Sequence, residues 1–158
     1  MTMNNDTLAR GFKYSFKSDS SQVDKLTEKN LFYLIENELL KFGGIESTID
    51  KSDYVFTVQF GMDTKQSSGS RTAYVYDYRT KRSIPQQRSY TNTFFSRNVF
   101  INLYKANSLN IPIWTANCLS EGETNDIYYP SQFMVPFAIS VMPIRGSWSR
   151  SKKIKKVK

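Results

Sequence analysis

Side chains that could catalyse a reaction or hold a metal are scarce in this chain, which contains no histidine and one cysteine, Cys118. Without imidazole, Ser-His-Asp and Cys-His catalysis lose their usual proton acceptor, and tetrahedral zinc, iron-sulfur and haem sites lose their ligands. The scarcity of histidine and cysteine does not exclude magnesium or calcium sites, which use oxygen ligands. Because Cys118 has no Lys or Arg beside it in sequence, we interpret it as a buried inert thiol rather than a nucleophile. We therefore expect no catalytic residues, no metal site, no cofactor and no small-molecule substrate; an enzyme that uses lysine, tyrosine or carboxylates is the alternative.

A mixture of tyrosines and cations forms the next candidate site. Tyr74, Tyr76 and Tyr78 alternate along one predicted strand, and the cations nearest to them are Arg71, Arg79, Lys81 and Arg82. Aromatic rings among cations are typical of surfaces that stack single-stranded nucleic acid. Neither a glycine-aromatic RNA-binding consensus nor a dense basic groove accompanies them. We therefore favour a partner-contact face for proteins, formed by Tyr74, Tyr76 and Tyr78.

Other conspicuous side chains have a structural interpretation. Trp114 could stack a ligand, but a tryptophan among strand apolars more often packs in a core, and we assign that role to Trp114, Phe56 and Leu34. The loop carboxylates lack a recognisable spacing partner, so we interpret them as solubility residues: Asp50, Asp53, Glu121, Glu123 and Asp126.

The positive charge is concentrated at one end. The formal charge is +8, yet the remainder before residue 145 carries 15 basic against 14 acidic residues. The other seven cations lie in the last 14 residues, without an acid: Arg145, Arg150, Lys152, Lys153, Lys155, Lys156 and Lys158. Such a segment can bind nucleic acid or an anionic membrane, or it can be a solvated, flexible end; the sequence leaves these open.

Two amphipathic helices are predicted around these candidates. One spans residues 23–42, after the capping residues SDSSQ and before Gly43 and Gly44, with apolar residues at helical spacing: Val23, Leu26, Leu31, Leu34, Ile35, Leu39 and Phe42. The other lies in YYPSQFMVPFAISVM, with Phe133, Phe137 and Val141 at i, i+4 and i+8, and with Met134, Ala138 and Met142 beside them. Pro130 suits a first helical turn, whereas Pro136 should cost an interior position about 3 kcal/mol.

The remaining periodic segments predict strands. Strands are expected at residues 12–17, 53–62 and 72–79, with TKQSSGSR as a flexible connection, and as an antiparallel hairpin at residues 99–118. Residues 80–97 suggest a long loop, or an irregular strand around residues 90–95. The fold class is therefore α+β, an α/β sandwich in which two helices pack on one face of a mixed, mostly antiparallel sheet of about five strands. Residues 10–144 form its single domain, followed by a basic tail at 145–158.

This order of elements resembles a known family. The segments that carry the resemblance are FKYSF, LLKFGG, DYVFTVQF, VFINLYKANSLNIPIWTANC and YYPSQFMVPFAISVMP, over about residues 12–143. They are similar to the bacterial envelope lipoproteins called domain of unknown function 4136 (DUF4136). The resemblance implies a sandwich of this kind, tethered to a membrane by a lipidated N-terminal cysteine, and it carries over no catalytic residues. The chain departs from the family in having no such cysteine, and Lys105 and Ala106 replace an expected acidic turn residue.

Two functions follow as hypotheses. The first is a non-enzymatic cell-envelope domain, a structural or accessory subunit of a surface or secretion-type assembly, whose partners are other protein subunits. The second is a small basic protein, cytoplasmic or secreted, whose tail binds nucleic acid or anionic membrane. We expect a periplasmic or outer-membrane-associated location if an export signal has been removed, and a cytoplasmic one otherwise.

Overall fold

The computed structural model describes residues 11–142 of the chain. Five strands, two helices and a short 3-10 helix follow one another in this part. Their bounds are β1 Lys13–Phe16, α1 Lys25–Lys41, β2 Ile45–Glu46, the 3-10 helix Ile49–Lys51, β3 Tyr54–Asp77, β4 Arg82–Lys105, β5 Trp114–Gly122 and α2 Tyr128–Ser140.

The strands form one mixed sheet in the order β2-β1-β3-β4-β5. Strand β1 runs parallel to both of its neighbours, β2 and β3. The β3–β4 and β4–β5 pairs are antiparallel. The chain must cross over between parallel strands, and α1 makes that crossover between β1 and β2. The predicted α+β class, with a mixed sheet and two helices, is confirmed.

Cross-strand register builds the core on the sheet face that the helices cover. Phe16 pairs with Phe56, Phe56 with Leu103, and Leu103 with Trp114, so four large side chains form one row across the sheet. The next row is Val58, Ile101 and Ala116. Both helices complete this core with buried residues: Leu31, Ile35 and Leu39 from α1, and Val135, Ala138 and Ile139 from α2.

Local signals explain the ends of α1. The Asp24 carboxylate caps its N-terminus by accepting from the Thr27 N–H at 2.9 Å. Gly43, with a φ of 77°, takes the left-handed conformation that ends the helix. The predicted apolar stripe is wrong at two positions. Val23 precedes the helix and is 96% exposed, and Leu26 is 70% exposed. Glu28 is buried instead, and it accepts from the Ser18 hydroxyl and the Asp19 N–H.

Of the apolar residues predicted for the second helix, Ala138 and Met142 are buried but Phe133 is not. Phe133 is 56% exposed, while Val135, Ala138 and Ile139 are buried against the sheet and α1. Pro136 lies inside the helix, which continues through it to Ser140. A segment with apolar residues on several sides offers more than one possible stripe, so the contacts with α1 and β5 decide which one is buried.

The largest departure from the sequence-based expectation concerns β3 and β4. The predicted flexible connection in β3 is wrong, since each strand is 24 residues long. The loop interpretation of residues 80–97 is wrong as well, and the strand expected around residues 90–95 as its alternative is part of β4. The two strands pair without interruption from Tyr54↔Lys105 to Asp77↔Arg82. Serine, threonine and glutamine are compatible with a strand exposed on both faces, but they give no hydrophobic alternation that would reveal one. The two-residue β2 and the 3-10 helix were also not predicted.

No helix among residues 11–142 combines the length and hydropathy needed to cross a bilayer.

A candidate interaction ribbon

A two-stranded ribbon projects from the body of the domain. Strand β5 pairs with β4 only from Phe95 to Leu103, and β1 pairs with β3 only from Tyr54 to Phe56. Beyond these contacts, residues 65–77 and 82–94 pair only with each other within the described chain. We call residues 65–94 the ribbon. At about 3.3 Å per residue it is roughly 40 Å long.

The turn at the ribbon tip is built from local contacts. The Asp77 carboxylate accepts from the Arg79 N–H at 2.9 Å, and this hydrogen bond is the first cause of a lowered Asp77 pKa. Lys81 has a φ of 53°, the left-handed conformation that closes the turn before β4. The tip is therefore ordered by its own backbone geometry, without a hydrophobic core beneath it.

Strand alternation gives the ribbon two different faces. One continues the helix side of the sheet and carries no charged residue; we call it the polar face. Its residues are Gln66, Ser68, Ser70, Thr72, Tyr74, Tyr76, Ser83, Pro85, Gln87, Ser89, Thr91 and Thr93. The opposite side we call the basic face, with Lys65, Ser67, Gly69, Arg71, Ala73, Val75, Asp77, Arg82, Ile84, Gln86, Arg88, Tyr90, Asn92 and Phe94.

This alternation separates the candidate tyrosines from the candidate cations. Tyr74 and Tyr76 lie on the polar face, 73% and 50% exposed, whereas Arg71 and Arg82 lie on the basic face. Tyr78 is in the turn, 85% exposed, and its ring centroid is 5.0 Å from that of Tyr76. Arg79 and Lys81 are also in the turn. The mixture of rings and cations suggested by the sequence therefore exists only at the tip.

Two basic-face residues reveal how the ribbon keeps its register. Gly69 pairs with Tyr90, and the tyrosine ring lies over the glycine: a Cβ at position 69 would be 2.6 Å from the Tyr90 hydroxyl oxygen. An aromatic ring that covers a glycine in the neighbouring strand fixes register and shields backbone. Toward the body, Lys65 forms a 3.0 Å salt bridge with Glu121 of β5.

Arg97 is the most deeply buried cation in the described chain, at 4% exposure. Its Nη1 donates to the Thr124 carbonyl and hydroxyl and to the Asp126 carbonyl at 3.1–3.2 Å, and its Nη2 donates to the Ser120 hydroxyl at 3.3 Å. The Asp126 carboxylate in turn caps α2 by accepting from the Tyr128 and Tyr129 N–H groups. Arg97 thus fixes the β5–α2 loop to the sheet and has a structural role.

The remaining candidates from the sequence lie in the core, except that Cys118 and Leu34 are half-buried and pack against it. Trp114 is 1% exposed and Phe56 is fully buried, while Leu34 packs at the edge of the same cluster. A ring as buried as Trp114 presents no surface on which a ligand could stack. Burial raises the pKa of the Cys118 thiol to about 11, and its Sγ contacts the Met134 carbonyl at 3.9 Å. A thiol with this pKa is a poor nucleophile at neutral pH.

Two glutamates, Glu36 and Glu46, and the Tyr14 hydroxyl form a group at one edge of the core. Burial is the main cause of a raised Glu36 pKa, followed by the charge of Glu46 and a hydrogen bond between the two carboxyls. Burial, and then these two carboxylates, raise the pKa of Tyr14 to about 12. The Tyr14 ring packs among Phe12, Phe16 and Phe56, so the group is part of the core edge.

Among the described residues, neither a surface depression nor the potential metal ligands indicate a further functional site. A surface depression of about 530 Å³ is bordered by residues 11–12, 52–54 and 105–107. Its one carboxylate, Asp53, accepts from the Lys13 N–H at 3.0 Å. No group of three or more Cys, Asp or Glu side chains that could hold a metal ion occurs among residues 11–142. The predicted anion-binding residues of the tail, at 145–158, lie outside the described residues.

Sequence reasoning missed the contribution of Lys65, Arg88, Val75 and Ile84 to the basic face. Two-residue alternation continues through SIPQQRSYTNTFF, where Ile84, Arg88 and Tyr90 are separated by even intervals. That signal was present, but it becomes a strand only when the partner segment is known to run alongside it.

Comparison with known proteins identifies no family for the chain. No family model matches it, and no curated protein matches it. Among solved structures, a PDZ domain protein from Parabacteroides distasonis is 16% identical, with a TM-score of 0.45. That match covers 80% of this chain but 31% of the other, so this chain spans about a third of that protein. A likeness this distant supports no inference about function.

Proposed function

We propose that this protein is a non-enzymatic interaction domain, a structural or accessory subunit of a bacterial surface or secretion-type assembly, and that it contacts its protein partner through the ribbon. The observation that carries the proposal is the ribbon itself, in which 13 residue pairs extend beyond β5 and contribute nothing to the core. Two-stranded hairpins are at best marginally stable in water. An extension of this length gains stability from a surface that covers it.

The free backbone of the ribbon supports pairing with a partner strand. The outer edge of β3 from residue 57 to residue 77 has no neighbouring strand within the described chain. An exposed edge is a template for an added strand, in which main-chain hydrogen bonds supply affinity. Strand β4 is the poorer template because Pro85 lacks a backbone donor, whereas β3 contains no proline. The β3 edge is therefore the proposed contact.

The polar face supports a packed contact rather than a charged one. It carries no ionisable side chain apart from tyrosine, and Tyr74 and Tyr76 place two largely exposed rings near its end. Tyrosines of this kind are enriched at protein interfaces because they bury a large apolar area and keep a polar tip. Tyr78 adds a third ring at the tip.

The envelope location is the part of the proposal that rests on resemblance to the DUF4136 lipoproteins. Fractionation of cells that express the gene from its own locus tests this point. Recovery of the protein in the membrane or periplasmic fraction supports the location, and recovery in the cytoplasm contradicts it.

Site-specific photo-crosslinking in the native cell tests the ribbon contact. A photoreactive residue replaces Thr72 or Gln87, which face each other on the polar face, and a control replaces Lys51 in the 3-10 helix. We expect a protein adduct of defined mass from the two ribbon positions and none from position 51. Absence of adducts at the ribbon, or the same adducts at all three positions, would refute the proposed function.

A shortened variant then separates contact from coincidence. Because Lys65 and Phe94 are directly paired, replacing residues 66–93 with an Asn-Gly turn closes the hairpin near β5. The core row of Phe56, Leu103 and Trp114 is untouched, so the variant should fold. The identified partner should bind the full chain and fail to bind the shortened one.

The basic tail supports a second candidate function, binding of nucleic acid or anionic membrane. Its seven cations lie within 14 residues that contain no acid. Titration with duplex DNA, single-stranded DNA and anionic vesicles at two salt concentrations tests it. Affinity that falls steeply with salt and disappears when residues 150–158 are deleted supports this function, and absence of binding at low salt removes it.

A further inference from the structure

The cations of the ribbon lie at regular intervals along the basic face. Lys65 and Arg71 are six residues apart in β3, and Arg82 and Arg88 are six residues apart in β4. The register places Arg71 opposite Arg88 and Asp77 opposite Arg82. Six residues of strand correspond to roughly 20 Å. The basic face therefore has cationic positions near its base, middle and end, and the ribbon contains six Lys or Arg against one Asp.

The Arg71–Arg88 pair is the informative position. Side chains directly opposite each other on one face of an antiparallel pair have Cβ atoms about 5 Å apart, and like charges placed so destabilise the pair. Among the described residues, no salt bridge joins Arg71 or Arg88 to a carboxylate, while Lys65 has Glu121. Two adjacent guanidinium forks are well suited to a carboxylate or phosphate held between them.

The residues between the cations favour a protein over a nucleic acid. Val75 lies opposite Ile84, and the two are 39% and 45% exposed. They form an apolar step between the Arg71–Arg88 pair and Arg82. A phosphate backbone offers nothing apolar to such a step, and Tyr74 and Tyr76, which could stack bases, lie on the opposite face. An extended peptide that alternates acidic and apolar side chains on one face matches both features.

From this charge and apolar pattern we infer that the basic face of the ribbon binds an extended acidic segment of a partner protein. One carboxylate is held between Arg71 and Arg88, an apolar side chain covers Val75 and Ile84, and a second carboxylate reaches Arg82. This inference rests on the proposed function and specifies its partner. Outside the ribbon, no described strand segment carries more than one carboxylate, which favours a different protein over a second copy of this one.

Fluorescence anisotropy with a defined probe tests the inference. The probe is a labelled synthetic peptide of about twelve residues with the repeat Glu-Ser-Val-Ser, which places Glu and Val alternately on one face of an extended strand and is long enough to span the ribbon. The full chain is compared with R71Q/R88Q. The matched control is K29Q/K51Q, which removes the same charge from two exposed positions outside the ribbon. We expect R71Q/R88Q to bind at least about tenfold more weakly and the control to differ by less than about twofold, with both affinities falling as salt rises.

Three outcomes would overturn the inference. First, the peptide could fail to bind at low salt. Second, the two double variants could weaken peptide binding equally, which would mean that only net charge matters. A duplex DNA probe could bind more tightly than the peptide and depend on Arg71 and Arg88, which would make the basic face a nucleic-acid site. Failure of the proposed function is distinguishable: a partner crosslinked at Thr72 that binds R71Q/R88Q normally refutes the acidic-segment inference and leaves the ribbon contact intact.

Discussion

Replacing Arg97 with methionine should destabilise the domain more than any exposed arginine would. Its guanidinium has four hydrogen bonds to Ser120, Thr124 and Asp126, and three of them share the two N–H groups of Nη1. Counting three effective bonds at about 1.5 kcal/mol each gives about 4.5 kcal/mol. Methionine regains part of the dehydration cost of a buried guanidinium. We expect a net loss of about 2–3 kcal/mol in the free energy of unfolding.

Urea denaturation followed by far-ultraviolet circular dichroism measures this loss. With a slope of about 1.5 kcal/mol per molar urea, the midpoint should fall by about 1–2 M. The matched control is Arg88→Met in the same strand, whose side chain is exposed on the ribbon and should change the free energy of unfolding by less than about 0.5 kcal/mol. Amide exchange at Tyr128 should also accelerate in the Arg97 variant, since the loop that caps α2 loses its anchor.

The reasoning is refuted if R97M and R88M have the same stability, or if R97M loses less than about 1 kcal/mol. Either result would mean that the buried hydrogen bonds only compensate for the dehydration of the guanidinium.

Three further predictions concern the described core and its edge. Gly122→Ala should cost about 1–3 kcal/mol, because the new Cβ would lie 2.5 Å from Arg97 Nη2, and the cost should shrink in an R97M background in a double-mutant cycle. Burial and Glu46 raise the pKa of Glu36, so this residue adds stability below its ordinary pKa of 4.5 and loses that contribution as pH rises through the raised value. Glu36→Gln should therefore make the free energy of unfolding in urea less dependent on pH between the ordinary and the raised pKa. An unchanged pH profile contradicts this prediction. Cys118, with a pKa of about 11 against an ordinary 9.0, should have roughly 100-fold less thiolate at pH 8 and react correspondingly slowly with a disulfide reagent until urea unfolds the domain; fast labelling of the folded chain would contradict its burial.

Much of the body was predictable because its residues have one buried face. The alternation FKYSF led to β1, and the apolar residues of the hairpin at 99–118 led to the β4–β5 pair in which Leu103 faces Trp114. The capping residues before α1 and the glycines after it located that helix to within two residues at its N-terminus. Burial of one face imposes a regular spacing of apolar residues that can be read directly from the sequence.

The ribbon was not predictable by the same logic. Its residues are exposed on both faces, so no hydrophobic period marks TKQSSGSR, and the alternation of Ile84, Arg88 and Tyr90 does not by itself indicate a strand. The candidate tyrosines and arginines were correctly noticed as neighbours in sequence, yet adjacent residues in a strand point to opposite faces. Strand formation therefore separates Tyr74 and Tyr76 from Arg71 and Arg82, which local sequence had grouped together.

Sequence by itself determined the α+β class, the absence of histidine chemistry and the concentration of charge in the last residues, since each depends on residue type or local period. Only the tertiary structure decided that residues 54–77 and 82–105 are two continuous paired strands. It also decided that Arg71 faces Arg88 and that Phe133 points away from the core. These features depend on which distant segment pairs with each strand. Helix caps can be recognised in one local segment, whereas strand pairing depends on two segments that are far apart in sequence.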